Sequence, residues 1–262
     1  MEKMKIIKIE SMSDVIRKSR DIISKIERVG GGMTDSTGKK GVNFSLKLTN
    51  DKGKSFLFKP ASKEHTSRWR YVPAHSQYKR ERVGYLIDQM LGFNLVPKTR
   101  IVKFKNEIGS LHDWVNAEHK PDITLKKYSD DMIWKVGLYD LIIGNCDRHS
   151  GNWLDYPDNS IVAIDAGYSQ PVKMNGLNDP RSVILSRFAC KIWGKKIPLK
   201  YIVAIKRLKD LKFQEHMKKL LEPEAFDLYR KRLGELLTSG VAAVSGYRCI
   251  EKIHGIPPKK GE

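Results

Sequence analysis

Hydrophobic periodicity changes along this chain, and that change constrains the fold more than any other feature. In the first half, VNFSLKLT alternates apolar and polar residues, and KSFLFKP resumes the alternation after the turn Asn50–Asp51–Lys52–Gly53. Residues two apart share one face of a strand, so the two segments predict a half-buried hairpin. RIVKF and SLHDWV predict a second strand pair around an Asn-Glu-Ile-Gly turn. In the second half the period lengthens toward 3.6, as in EPEAFDLYRKRLGELL, which predicts helices. Strands first and helices after predict an α+β chain of two unequal lobes, 1–117 and 118–262, with the change-over near 116–120.

Within the first lobe, Val15, Ile16, Ile22, Ile23 and Ile26 predict a helix over 12–29, capped by Ser13 and ended by the run Gly30–Gly32. Residues 61–80 read as a long polar loop. From Glu81 a helix returns with the stripe Val83, Leu86, Ile87, Met90 and Leu91, and Gly92 supplies its stop. A buried helix is predicted over about 129–143, capped by Ser129 with Asp130 and Asp131 in its first turn. Trp114, Trp134 and Trp153 are expected in the core.

At 262 residues, 40 % hydrophobic and 30 % charged, the chain can bury a core without covalent staples. Cys146, Cys190 and Cys249 are odd in number and far apart, which favours a reducing compartment over a disulfide framework. No stretch is apolar enough for a signal peptide or a membrane span, so a cytoplasmic protein is expected. The formal charge of +19 attracts nucleic acid, an anionic membrane, nucleotide phosphates or an acidic protein, and by itself selects none of them.

The polar loop NCDRHSGN lies between the buried helix and the apolar strand IVAID, so its side chains are anchored on both sides. Asp147 is followed by Asn152 five residues on and by Asp165 thirteen further. Phosphoryl transfer from a nucleotide requires a group that orients the acceptor and oxygen ligands that hold a divalent cation on the phosphates. The Asp-then-Asn spacing, with a later Asp, is that of a kinase catalytic loop. Upstream, GGGMTDSTGKKG offers backbone amides and the Ser36 and Thr37 hydroxyls to phosphates. Lys59 ends the strand KSFLFK, and Glu81 opens a helix from which it could fix that lysine. Cys146-x-x-His149 is half of a zinc pattern, with no second pair at suitable spacing.

GNCDRHSGNWL followed by IVAIDAG resembles the catalytic and metal-binding segments of the phosphatidylinositol 3-/4-kinase-like branch of the kinase superfamily, which includes atypical protein kinases of the actin-fragmin kinase type and, more distantly, HipA-like kinases. FLFKP, RERVGYLIDQMLGFNLVP and GSLHDWV extend the resemblance over roughly residues 30–170. It implies a bilobal kinase fold, with Asp147 as catalytic aspartate, Asn152 and Asp165 as Mg²⁺ (or Mn²⁺) ligands and Lys59 as the nucleotide lysine. His149 falls on the motif histidine, for proton handling or loop order, and Trp114–Val115 on the adenine hinge.

The glycine loop lacks GxGxxG spacing, and AGYSQPVKMNGLNDPRSVILSRF matches no recognisable substrate loop. Basic residues concentrate at Lys63, Arg68, Arg70, Lys79, Arg80 and Arg82, and over 166–200, which predicts a basic cleft mouth suited to an acidic protein, an anionic lipid headgroup or RNA. The expected reaction is transfer of the γ-phosphate of Mg-ATP to a hydroxyl. Protein Ser/Thr is favoured as acceptor, because no lipid-binding module or amphipathic membrane helix stands out. A phosphoinositide kinase and a basic nucleic-acid-binding pseudokinase are the alternatives. Ser169, Ser182 and Ser186 are expected as autophosphorylation sites because they follow Asp165.

Overall fold

The structure, a computed structural model, describes residues 23–30, 44–64, 72–118, 120–172 and 183–251. An antiparallel sheet is built from β1 (Ile23–Gly30), β2 (Ser45–Asn50), β3 (Ser55–Pro60), β4 (Thr99–Phe104) and β5 (Glu107–Asp113), in the spatial order β1-β2-β3-β5-β4. At the β2–β3 turn, Asn50 Oδ1 accepts from Lys52 N and Lys54 N at 3.1 and 2.7 Å, and Gly53 takes φ 77°. The β4–β5 turn falls earlier than the sequence predicts. Lys105 and Asn106 both have positive φ, so the hairpin closes in two residues and Glu107–Gly109 already belong to β5. The helix predicted over 12–29 is corrected in the part that is described: Ile23–Gly30 is a strand, with Ile26 opposite Leu48. The free edge of β2 offers that segment a ladder of backbone hydrogen bonds, which overrides an apolar spacing that would not have been buried (Ile26 stays 41 % exposed).

Alternation along β3 puts Phe56 and Phe58 against Leu48, Val102 and Leu111 in a small core and turns Lys59 to the opposite face. That face meets α1 (Gln77–Leu91), which begins four residues before Glu81 rather than at it. Its stripe of Val83, Leu86, Ile87 and Leu91 is buried, and Gly92 closes it at φ 72°.

The main core runs from this stripe into the second half of the chain. There, α2 (Asp130–Ile143) is capped by the Ser129 hydroxyl, which accepts from Met132 N at 3.2 Å, and is buried nearly all round from Val136 onward. Around it lie α3 (Arg187–Ile192), α4 (Leu199–Lys206), α5 (Leu211–Leu220) and α6 (Pro223–Ser239). Two short strand pairs complete the described part: β6 (Trp153–Asp155) antiparallel to β7 (Ile161–Ala163), and β8 (Val183–Leu185) parallel to β9 (Arg248–Ile250).

One glycine sets how closely these parts meet. A Cβ on Gly84 would lie 2.6 Å from the Tyr139 hydroxyl of α2 and 2.9 Å from Ala166 Cβ, so only glycine lets α1 approach both. That approach brings Glu81, three residues earlier on the helix, to the segment that carries Asp165.

Candidate active site

Three elements converge on one ammonium. Lys59 Nζ, from β3, lies 2.7 Å from Glu81 Oε1 of α1 and 3.2 Å from Asp165 Oδ1, beyond β7. Burial disfavours the lysine's charge, but the Asp165 and Glu81 carboxylates outweigh it and hold the pKa above its ordinary range. Glu81 is 3 % exposed and uses its second oxygen to accept from Ala166 N at 2.9 Å. It therefore fixes the lysine and the backbone next to Asp165 together. Asp165 itself has φ 59°, a left-handed conformation that Asp tolerates better than most residues. Its side chain is 31 % exposed, so the carboxylate keeps access to solvent. A small pocket, with room for about one water, lies beside Lys59 and Glu81 and is lined also by Phe44, Lys63, Gln77 and Ser110.

Behind the lysine sits a histidine the sequence reading did not single out. His112, on β5, is buried; its Nδ1 lies 3.0 Å from Thr99 Oγ1 and its Nε2 2.9 Å from Ser110 Oγ. The Thr99 hydroxyl donates to Pro97 O, so Nδ1 carries the ring proton and Nε2 accepts from Ser110. Burial, and then the charge of Lys59, lower the pKa of His112 from 6.5 to about 3. The unfolded chain thus binds one more proton than the fold between those values. Stability owed to the neutral ring is complete above pH 6.5 and is lost as pH falls toward 3. Urea unfolding from pH 6.5 down to 4.5 is expected to show wild type losing roughly 1.4 kcal/mol per pH unit more than His112→Gln. Equal slopes would show that the ring protonates in place.

The polar loop is held from inside. Gly144 ends α2 at φ 62°, and the buried Asn145 accepts from Asp147 N at 2.9 Å while donating to Asp140 Oδ1 at 2.8 Å. Arg148, 1 % exposed, meets Asp140 through Nε and Nη2 and donates Nη1 to the carbonyls of Asn152 and Ile164. Burial disfavours its charge, but Asp140 outweighs this and raises its pKa. Ser186 Oγ donates to Asp140 Oδ2 at 2.7 Å and accepts from Ala189 N, capping α3. Asn152 Nδ2 donates to Asp147 O at 2.6 Å. Because that carbonyl only accepts, the amide nitrogen must face it, and the Asn152 oxygen points away. His149 accepts from Gly151 N at Nδ1, 3.0 Å away, a contact that orders the loop.

The structure therefore brings Lys59, Glu81 and Asp165 into contact and ties Asn152 to Asp147. Ser36 and Thr37 lie outside the described residues. Trp114 follows β5 with its N–H donating to Ser55 O at 3.1 Å. Its placement in the core is corrected: the ring is 38 % exposed and lies under the Lys47 ammonium, 4.4 Å from the ring centroid. The basic mouth also needs correction. Arg80 and Arg82 are buried, Arg80 on Ser169 O, Gln170 O and Glu222 and Arg82 on Thr99 O, so neither is offered to a substrate. Ser169 and Ser186 are fully buried, which removes them as autophosphorylation sites in this state, and Ser182 lies outside the described residues. Asp140, Asn145, Arg148, Ser186 and His112 are the site-supporting residues that sequence reasoning missed. Two of them carried a signal, Arg148 as a letter of the DRH string and Asp140 as a single acid in the apolar half of α2.

No family model matches the chain. A segment is 30 % identical, over 114 aligned residues, to phosphatidylinositol 4-kinase gamma 4 of Oryza sativa subsp. japonica. The match covers 36 % of this chain and 20 % of the relative, so it spans about a fifth of that protein's length. Among solved structures, the Golgi casein kinase with Mn/ADP bound superposes with a TM-score of 0.52, covering 88 % of this chain and 74 % of that one at 12 % identity. The chain has a kinase-like fold. A Helicobacter pylori proinflammatory kinase, CtkA, is also similar, at 14 % identity and a TM-score of 0.41, covering 82 % of this chain and 93 % of that one. Within that fold Lys59, Glu81 and Asp165 come from a strand, a helix and the segment beyond a second strand to form one ion-pair cluster. Among the described residues, no helix is long and apolar enough to cross a membrane.

Proposed function

We propose that this chain is a kinase that transfers the γ-phosphate of Mg-ATP to a hydroxyl, most favourably that of a protein Ser or Thr. The observation that carries the reading is the Lys59 ammonium held charged between Glu81 and Asp165. An ammonium fixed in this way stabilises negative charge on the nucleotide phosphates without having to reorganise during the reaction. Val115, next to Trp114, leaves its backbone N–H and C=O without a hydrogen bond among the described residues, as an adenine hinge requires.

The oxygen donors fit a hard cation. Mg²⁺ is commonly held by one or two protein oxygens together with substrate phosphates and water, and Asp165 with the Asn152 side-chain oxygen, which the Asp147 carbonyl does not engage, would supply that set. Mn²⁺ takes the same ligands, and the Golgi casein kinase structure contains it. When bound, the ion neutralises charge on the phosphate oxygens. Asp147 orients the acceptor hydroxyl and takes its proton, with its backbone fixed at N by Asn145 and at O by Asn152. His149 keeps the loop in shape. The rice relative's name supports a phosphoinositide hydroxyl as the second acceptor to test.

Labelled γ-phosphate transfer to a generic protein acceptor and to phosphatidylinositol vesicles tests this. Wild type is expected to transfer, and Lys59→Met to lose about 10²-fold or more in kcat/KM, as when one preorganised electrostatic group is removed. Absence of both ATP binding and transfer in the wild type would reject a kinase; transfer to lipid alone would replace the protein acceptor.

A further inference from the structure

The two most exposed large apolar side chains among the described residues, Leu211 at 81 % and Leu199 at 76 %, begin consecutive helices. On α4 and its cap the exposed positions are Leu199, Lys200, Val203, Lys206 and Arg207; on α5 they are Leu211, Lys212, Glu215, Lys218 and Lys219, at the same offsets. The opposite faces, carrying Tyr201, Ala204, Ile205, Phe213 and Met217, are buried in the main core. Both helices thus lie with one side on the protein body and present aliphatic tips among cations on the other. Lys200 pairs with Asp131, and the Asp210 carboxylate caps α5 by accepting from Phe213 N. Lys206, Lys209, Lys212, Lys218 and Lys219 have no partner among the described residues, and Glu215 is the acid left on this face.

We propose that the outward face of α4 and α5 docks this protein on an anionic lipid bilayer. Aliphatic side chains standing in water gain most by entering an apolar phase, and the surrounding lysines match a layer of anionic headgroups. An acidic peptide would answer the lysines but leave the leucines wet. Nucleic acid would find no aromatic face here on which to stack a base. A second copy of the chain would bring the same positive charge to the contact. The inference is independent of the kinase reading, since docking needs none of the cleft residues.

Cosedimentation of the full chain with phosphatidylcholine vesicles, with and without phosphatidylserine, tests the proposal. Binding is expected to be at least ~10-fold tighter with phosphatidylserine and to weaken with salt. Leu199→Ser/Val203→Ser/Leu211→Ser keeps every charge and is expected to lose about 10-fold or more with unchanged thermal stability. Lys206→Glu/Lys209→Glu/Lys212→Glu should lose at least as much. Wild type that ignores phosphatidylserine overturns the proposal. So does serine-variant binding equal to wild type, which would leave only the unspecific pull of net charge. Leucine-dependent capture of an acidic peptide without vesicle binding would assign the face to a protein partner instead.

Discussion

Asp165→Asn is expected to lower phosphate transfer by about 10²- to 10³-fold while leaving the fold intact, the size of effect seen when one preorganised charge-stabilising group is removed. The substitution is chosen for the backbone: at φ 59° Asn is tolerated as Asp is, whereas Ala would add about 1–2 kcal/mol of left-handed strain to the chemical loss. Asn also keeps the side-chain volume and one oxygen, so the charge is what changes. Lys59 retains Glu81 at 2.7 Å and stays in position, and Ala166 N keeps its acceptor on Glu81. A nearly unchanged melting temperature should therefore accompany the kinetic loss. Calorimetry separates the remaining roles. Nucleotide affinity without metal should hold, and its tightening by Mg²⁺ or Mn²⁺ should disappear. Transfer within about threefold of wild type would instead make Asp165 a structural partner of Lys59 and move the metal site elsewhere.

How much of the candidate site could be picked out in the sequence depends on the range of the interactions. Lys59 was legible because alternation along KSFLFKP fixes which face a strand residue takes, and Glu81 because a helix start follows the loop after it. Asp147, Asn152 and Asp165 were legible from spacing within one loop–hairpin unit. What escaped is what long-range packing decides. The stretch Ile23–Gly30 carries an apolar spacing compatible with helix, and only the open edge of β2, some 20 residues on, makes it a strand. Arg80 and Arg82 look like solvated charges in the string KRER, yet Arg80 is buried through Glu222, 142 residues away. Trp114 looked like core material, but β5 ends beside it and leaves the ring at the surface with Lys47. The outward stripe on α4 and α5 was hidden for a related reason: its helices are also apolar on the buried side, so neither reads as a membrane helix by composition.

The second large effect belongs to Arg148, which was legible only as a letter in DRH. Arg148→Met is expected to destabilise the protein by about 3–5 kcal/mol, the usual cost of removing one partner from a buried ion pair. Both partners are inaccessible, at 1 % for Arg148 and 0 % for Asp140, so the carboxylate left behind cannot be rescued by water. Asn145 and Ser186 still donate to it, which keeps the loss from being larger. For a chain of this size the change corresponds to roughly 6–20 °C in melting temperature. Arg148→Lys should recover little. A single ammonium cannot reach the two Asp140 oxygens and the carbonyls of Asn152 and Ile164 that the planar guanidinium spans. Those two carbonyls flank the Asn and Asp proposed to hold the metal, so Arg148 is a positioning residue whose loss should also show in kinetics. At a temperature where Arg148→Met is still folded, its Mg²⁺ dependence should shift to higher concentration while the affinity for metal-free nucleotide, set by Lys59, holds. Equal loss of both would mean that the variant simply unfolds the cleft. A destabilisation under about 1 kcal/mol would mean that the pair contributes nothing beyond a well-packed apolar contact, and that Asn145 and Ser186 alone hold the loop.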